Sequence, residues 1–269
     1  MSGLRFTLRG TPEQRLDLSP LVPHRLAGLS QGEIERLPLG TVRRPVLVGD
    51  AFQVGIGEAG EVVIAGGSAL LDRVGEALTT GTLIMEGDAG DCLGRGMSGG
   101  QLECRGSVRD WAASGLRGGT VVIAGDCGAF LGGPLAGEVE GMSGGTVLVR
   151  GKVGERVGDR LRRGIIVVEG DAGRLPASRM IAGTVVVCGA AGEMPGSLMR
   201  RGTVLLGGTP RLPPTFVPVR EAPGGVFAAL LARSLRPVSE RAASLAAVPL
   251  RRFAGDMASL GRGEILLPA

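Results

Sequence analysis

The chain has 269 residues, of which 43% are hydrophobic and 21% are charged, a composition that favours a folded core over intrinsic disorder. Of its 30 basic residues only Lys152 is a lysine, and the other 29 are arginines, whose planar groups bind carboxylates and phosphates. No zinc-finger, helix-turn-helix or ribonucleoprotein pattern accompanies this charge, which argues against nucleic-acid binding.

Residues 1–58 are predicted to form a cap at one end of the fold. The alternation of Leu4, Phe6 and Leu8 indicates a strand, and Ser30 with Glu33 has the capping-box spacing of a short helix. This segment contains no apolar stretch of signal-peptide length, and no uncharged apolar run reaches the ~18 residues that cross a bilayer. We therefore expect a cytoplasmic protein that does not bind membranes.

Residues 59–210 contain a repeat. Seven glycines begin its copies, at steps of 19, 19, 26, 19, 19 and 19 residues: Gly81, Gly100, Gly119, Gly145, Gly164, Gly183 and Gly202. The long step contains a seven-residue insertion around Pro134 to Glu140, and a weaker copy begins at Gly60. A fixed period of this kind predicts a solenoid.

Each repeat places apolar residues at fixed positions after its first glycine. The second and fourth positions are always apolar, which is the period of a strand, and the sixth is always glycine, which permits a corner. A third apolar row consists of Met97, Leu116, Met142, Leu161, Met180 and Met199. Three inward rows predict an all-β solenoid, specifically a right-handed parallel β-helix of about seven coils of ~19 residues.

The third position of each repeat is predicted to face outward, yet it is mostly apolar. Its apolar members are Ile84, Val122, Leu148, Val167, Val186 and Leu205. An exposed row of this kind is an association surface, so something must cover it. The candidates are a partner subunit or the segment 211–269, where two short helices separated by Pro237, and a final strand, are predicted to pack on the repeats.

Catalytic groups are scarce. The single histidine, His24, lies in the cap, and Ser98 and Ser143 have no base nearby in sequence.

Four cysteines lie far apart and are predicted to be free thiols: Cys92, Cys104, Cys127 and Cys188. Asp88, Asp126 and Asp171 follow corner glycines and are predicted to accept turn N–H groups. We predict no catalytic and no metal-binding residue in this chain.

Arginine recurs at one outward position on every second repeat. The residues are Arg117, Arg162 and Arg200, and Arg163 and Arg201 adjoin them. Successive members are about 10 Å apart if strands are ~4.8 Å apart. This stripe has two interpretations: it binds an anionic tail or an acidic partner surface, or it is a row of solvated corners.

Several motifs resemble one family. These are the repeated GTVVVxGxxGxxxG pattern, the GMSGG turns at Gly96 and Gly141, the insertion before the second turn, and the ending FAGDMASLGRGEIL. They resemble the C subunit of formylmethanofuran dehydrogenase and of its bacterial counterpart, the formyltransferase/hydrolase complex of methylotrophs. The central repeats alone are also similar to the C-terminal domain of the large subunit of glutamate synthase.

The resemblance implies a non-catalytic scaffold subunit in one-carbon metabolism. In the bacterial complex, a formyl group passes from a tetrahydromethanopterin carrier to a methanofuran-type carrier and is then hydrolysed to formate in a metal-dependent amidohydrolase subunit. The implied partners are an amidohydrolase-like chain, a formyltransferase and a chain like the B subunit of the dehydrogenase, which hold the carriers and the metal. Glutamates in methanofuran tails are then one possible ligand of the arginines.

Two alternatives remain. The archaeal molybdenum or tungsten dehydrogenase complex contains a similar subunit, although arginine in place of lysine favours a GC-rich bacterial source. A free-standing β-helix acyltransferase would require a histidine base, and the repeats contain none.

Overall fold

The computed structural model describes residues 3–40, 46–220 and 225–269, and its regular structure is mostly β. Its strands are β1 (Gly3–Leu8), β2 (Leu16–Asp17), β3 (Phe52–Gly55), β4 (Glu58–Ala65), β5 (Leu71–Asp72), β6 (Thr82–Glu86), β7 (Gln101–Cys104), β8 (Thr120–Ile123), β9 (Thr146–Val149), β10 (Ile165–Val168), β11 (Thr184–Val187), β12 (Arg201–Leu206), β13 (Val217–Val219), β14 (Leu250–Gly255) and β15 (Arg262–Pro268). Its helices are α1 (Pro23–Leu26), α2 (Gln31–Glu35), α3 (Val48–Ala51), α4 (Gly225–Leu235) and α5 (Glu240–Ala247). Positions 1–2 and 41–45 of the predicted cap and 221–224 of the predicted C-terminal segment lie outside the described residues.

One sheet of thirteen strands forms the centre of the fold, in the order β13-β14-β15-β12-β11-β10-β9-β8-β7-β6-β4-β1-β3. From β4 to β12 every neighbouring pair is parallel, and Ile166 of β10 pairs with Val185 of β11, nineteen residues later. Across the insertion, Val121 pairs with Val147 in the same register. The repeat therefore sets the strand register, and the insertion lies outside the strands.

A second line of parallel contacts joins the repeats away from the main sheet. Single bridges connect, in succession, Ala89, Val108, Cys127, Val153, Ala172 and Ala191. Further backbone hydrogen bonds join the repeats outside the main sheet and these bridges. The N–H of Ala113 donates to the carbonyl of Leu93 over 2.7 Å, and the N–H of Gly132 donates to the carbonyl of Ala112 over 2.8 Å. Each repeat thus satisfies backbone groups of the next at several points along its length.

The three predicted inward rows form the core. Every member of the second-position, fourth-position and methionine-containing rows is at most 1% exposed. The side chains of these rows are mainly Val, Leu, Ile and Met, so burial of apolar surface is the main contribution to the stability of the repeats. The prediction of these rows is confirmed.

Glycine is required where successive repeats approach most closely. Gly119 has φ +85°, and a Cβ at this position would lie 2.6 Å from the carbonyl oxygen of Gly100. At the corner, a Cβ on Gly106 would lie 2.3 Å from the carbonyl carbon of Gly87. The recurring glycines therefore permit the backbones of adjacent repeats to come into contact.

Antiparallel strands close both ends of the sheet. At the N-terminal end β1 is parallel to β4, and β3 then pairs antiparallel to β1. At the other end β15 is parallel to β12, and β14 and β13 follow antiparallel. The outermost strand β3 therefore runs opposite to the repeats, whereas β13, at the other edge, runs in their direction again and is separated from them by the reversed β14.

The predicted elements of the end segments are present. Strand β1 covers the alternating residues, with Leu4 and Phe6 buried, and α2 begins after Ser30, whose N–H donates to the Glu33 carboxylate over 2.8 Å. The predicted C-terminal helices are α4 and α5, and the predicted final strand is β15. Strands β13 and β14 are not among the elements that the sequence predicts.

Helices α4 and α5 cover the C-terminal part of the outward apolar row. Leu148, Val167, Val186 and Leu205 form a second buried cluster with residues of the two helices, including the fully buried Leu235. In the earlier repeats Ile84 and Val122 are half-buried. Charged side chains lie beside Ile84, where Arg105 forms ion pairs with Glu86 (3.3 Å) and Glu103 (3.1 Å). The cover over the last four members is thus intramolecular.

Replacing Leu235 by alanine is expected to lower the free energy of unfolding by about 2–5 kcal/mol, because it leaves a cavity between α4 and the sheet. Urea denaturation followed by circular dichroism measures this change. Leu230 on the same helix is 59% exposed, so Leu230→Ala is the matched control and is expected to change stability by no more than about 0.5 kcal/mol. Equal losses in the two variants would contradict the packing described.

Candidate functional site

The five predicted arginines lie along one corner of the repeats. Backbone N–H groups of Arg117, Arg162 and Arg200 donate to the carbonyls of Met97, Met142 and Met180 over 2.8, 2.9 and 2.7 Å. Ser143 and Ile181 make the same kind of bond in the intervening repeats. The structure therefore places an arginine on every second repeat, directly after the inward row that contains the methionines.

The side chains of all five arginines are exposed. Arg162 forms an ion pair with Glu140, which belongs to the insertion. Within the part of the chain that the structure describes, Arg117, Arg163, Arg200 and Arg201 have no ion pair with a carboxylate of this chain. The stripe is thus divided into one neutralised arginine and four that face solvent.

A further arginine, Arg262, joins this group through the tertiary structure. Strand β15 lies parallel to β12 and places Arg262 opposite Arg201, and the Arg262 N–H donates to the carbonyl of Arg200 over 3.3 Å. Arg262 is exposed and likewise forms no ion pair among the described residues. It was not predicted as a site residue, although Arg262–Leu266 (RGEIL) matches Arg201–Leu205 (RGTVL) closely enough to have indicated the pairing.

We name Arg163, Arg200, Arg201 and Arg262 the arginine edge. Arg163 lies two repeats before Arg201, and one further strand separates Arg201 from Arg262, so the arginine edge is about 14 Å long at ~4.8 Å per strand. Guanidinium groups keep their charge at any physiological pH and bind carboxylates in a two-pronged geometry. The chemistry that this edge offers is recognition of anions.

The insertion of residues 134–140 is held in place beside this corner. The Glu138 carboxylate pairs with Arg95 over 2.8 Å, and Arg95 also pairs with Glu76 over 2.9 Å. The Arg160 side chain donates to the carbonyl of Glu138 over 3.1 Å. These contacts fix the loop so that Glu140 reaches Arg162.

An ion pair with a fully buried carboxylate joins Arg179 to Asp159, which lies a few residues before Arg162 in the chain. Asp159 is fully buried, and its carboxylate accepts hydrogen bonds from Ser178 over 2.7 Å and from the Arg179 Nε over 2.9 Å. Arg179 remains 37% exposed at its side chain. This pair joins consecutive repeats and was not predicted from the sequence.

The other polar residues singled out in the sequence are structural or isolated. Asp88, Asp126 and Asp171 each accept a backbone N–H of the next repeat over 2.8 Å, as predicted. His24 is exposed on α1. Partial desolvation lowers its pKa, and the positive charge of Arg25 lowers this pKa further. No grouping of His, Cys, Asp and Glu suited to a metal ion occurs within residues 3–40, 46–220 and 225–269.

All four cysteines are free, and none has the environment of a nucleophile. Burial raises the pKa of Cys92, Cys104 and Cys188 to about 11 and raises that of Cys127 further. A thiol with a raised pKa contributes little thiolate at neutral pH and reacts slowly.

Among the described helices, none has the length and apolarity required to cross a bilayer.

Comparison with known proteins shows high similarity to a curated relative and to a crystal structure. The chain is 46% identical to the C subunit of the formyltransferase/hydrolase complex (Fhc) of Methylorubrum extorquens, over 100% of both chains. It also matches a chain in the X-ray crystal structure of the FhcABCD complex of that organism with methylofuran, at 45% identity and a TM-score of 0.94, covering 98% of this chain and 99% of that one. No protein-family model matches the sequence.

Proposed function

The chain belongs to the family of the C subunit of the formyltransferase/hydrolase complex, and from this premise we propose that it has the same place in such a complex in its own organism. The observation that carries this proposal is the extent of the match, which includes the end segments as well as the repeats. A likeness confined to the central repeats would fit any protein with this repeat, including glutamate synthase. Similarity of both the repeats and their specific ends favours one complex.

In this proposal the chain is a scaffold, and its partners perform the chemistry. The interior of the repeats is filled by apolar side chains, the thiols have raised pKa values, and the histidine stands alone at the surface. The partners are a formyltransferase, an amidohydrolase-like chain and a chain like the B subunit of the dehydrogenase, all in the cytoplasm. They hold the tetrahydromethanopterin substrate, the methanofuran-type carrier and the hydrolase metal, and together they convert the formyl group to formate.

The shape suited to this role is a right-handed parallel β-helix with about seven coils of ~19 residues. Its support is the nineteen-residue register of the main sheet together with the second line of bridges on another side of each repeat. Parallel strands joined within one sheet are connected in the right-handed sense in about 98% of cases. In this division residues 1–58 form the cap, 59–210 the β-helix and 211–269 the segment that packs on it.

The match to a bacterial hydrolase complex favours this function over the archaeal dehydrogenase alternative. The acyltransferase alternative has no observation in its favour, because the single histidine, His24, lies outside the repeats.

Affinity purification of the tagged protein from its native host tests the proposal. We expect a formyltransferase and an amidohydrolase to co-elute, and we expect the assembled complex, but not the isolated chain, to release formate from formyl-tetrahydromethanopterin. Co-elution of a molybdenum or tungsten dehydrogenase instead, or turnover by the isolated chain, would refute the function proposed.

A further inference from the structure

We propose that the arginine edge binds an acidic surface of a partner subunit and thereby orients that subunit on the scaffold. This inference rests on the proposed function, because it assigns one interface of the assembly. It concerns Arg163, Arg200, Arg201 and Arg262, which the fold gathers from the last repeats and from β15.

Like charges lie directly opposite each other on the arginine edge. Arg201 and Arg262 are partners across two adjacent parallel strands, and Arg200 precedes Arg201 in the chain. Like charges opposite each other on neighbouring strands destabilise a sheet. The isolated chain therefore holds an unfavourable arrangement, which negative groups supplied from outside would relieve.

Nearby carboxylates of this chain are already engaged elsewhere. Glu264, two residues after Arg262 on β15, pairs with Arg252 over 2.9 Å and accepts a hydrogen bond from Thr203 over 2.7 Å. Glu140 is paired with Arg162. Over the described ranges of the chain, no acidic side chain forms an ion pair with any of the four arginines, so their positive charge is available to a partner.

The arginine edge has the shape of a protein-binding strip rather than of a pocket. Small anions are usually held in concave pockets. Two cavities, of about 870 and 830 Å³, are lined by other residues, one between α4 and β14 and one beside the turn that follows β1. The arginine edge is instead an open strip of exposed side chains, the form in which charge steers and orients protein partners.

Charge reversal in the full complex tests the proposal. With Arg200→Glu, Arg201→Glu and Arg262→Glu combined, we expect the dissociation constant of this chain from its partners to rise at least ~10-fold and to depend less on salt. The matched control replaces Arg150, Arg174 and Arg211 by glutamate. These three arginines are exposed and, as far as the structure describes the chain, form no ion pairs. Unchanged affinity and salt dependence in the first triple variant would overturn the inference.

Cross-linking identifies the occupant, because the chain has a single lysine, Lys152. The combined variant Arg200→Lys, Arg201→Lys and Arg262→Lys keeps the charge, and a carbodiimide then joins each new amine to a carboxylate that it contacts. Cross-links to Asp or Glu of a partner subunit, found by mass spectrometry, are the expected result. Cross-links only to the methanofuran-type carrier, or none at the three new lysines, would overturn the proposal.

The two proposals fail in distinguishable ways. If the wild-type chain does not co-elute with formyltransferase and hydrolase subunits, the proposed function itself is refuted. If the wild-type chain assembles with them and the charge-reversed variant assembles equally well, only the assignment of the arginine edge is refuted.

Discussion

Replacing Gly119 by alanine is expected to lower the free energy of unfolding by about 4 kcal/mol or more, or to prevent folding. The residue has φ +85°, and the added Cβ would lie 2.6 Å from the carbonyl oxygen of Gly100 and 2.8 Å from the Cε of Met97. The backbone atoms belong to the adjacent repeat, so relief of the clash requires the two repeats to separate. Urea denaturation of the purified variant, or its loss from the soluble fraction, measures the effect.

Gly60→Ala is the matched control for this change. Gly60 begins the weaker copy of the repeat, and a Cβ at this position would have no heavy atom within 4 Å. We expect its stability to remain within about 1 kcal/mol of the wild type. A comparable loss in both variants would show that general glycine flexibility, rather than close contact between repeats, explains the recurring glycines.

Replacing Arg179 by methionine is expected to lower the free energy of unfolding by about 3 kcal/mol, toward the lower end of the range for breaking a buried pair. The reason lies with Asp159, which is fully buried and keeps only Ser178 as a side-chain donor in the variant. The partial exposure of the Arg179 side chain changes this cost little, because the group left without its charged partner is the fully buried carboxylate of Asp159. Denaturant titration at neutral pH measures the loss.

Two further variants separate the buried charge from simple loss of packing. Adding Asp159→Asn to Arg179→Met removes the uncompensated charge and is expected to restore part of the stability, which a double-mutant cycle quantifies. Arg109→Met breaks an exposed pair with Asp91 and is expected to cost less than about 1 kcal/mol. Similar losses for Arg179→Met and Arg109→Met would contradict the importance assigned to burial.

Both the Gly119 and the Arg179 variants also bear on the function. The arginine edge is continuous only if consecutive repeats remain stacked in register, since its residues come from different repeats. If the proposed function holds, a variant that loosens the repeats is expected to weaken assembly of the proposed complex even though no residue of the arginine edge has been changed.

Much of the repeat region could be predicted from the sequence. Contacts between repeats recur at one separation, so Leu83, Leu102 and Val121 occupy equivalent positions in the repeat and in the sheet. The alternation of side chains along a strand then identifies which residues face the core. The positions of Arg117, Arg162 and Arg200 on one corner follow from the same period.

Contacts that have no fixed separation along the chain could not be predicted from the sequence and were found in the fold. Arg262 lies beside Arg201 because the chain leaves the repeats, forms α4 and α5, and returns as β15 parallel to β12. The covering of Leu148 and Leu205 by these helices depends on the same return of the chain.

The inward rows and the strand register were therefore predictable, because a regular period makes neighbours in space identifiable by counting. The family was recognised from motifs that include the C-terminal ending as well as the repeats. The completion of the arginine edge by Arg262 and the covered part of the outward row became visible only in the fold. The physical reason is that pairing between the repeats and the C-terminal segment depends on chain reversals and on matching surfaces, which leave no period in the sequence.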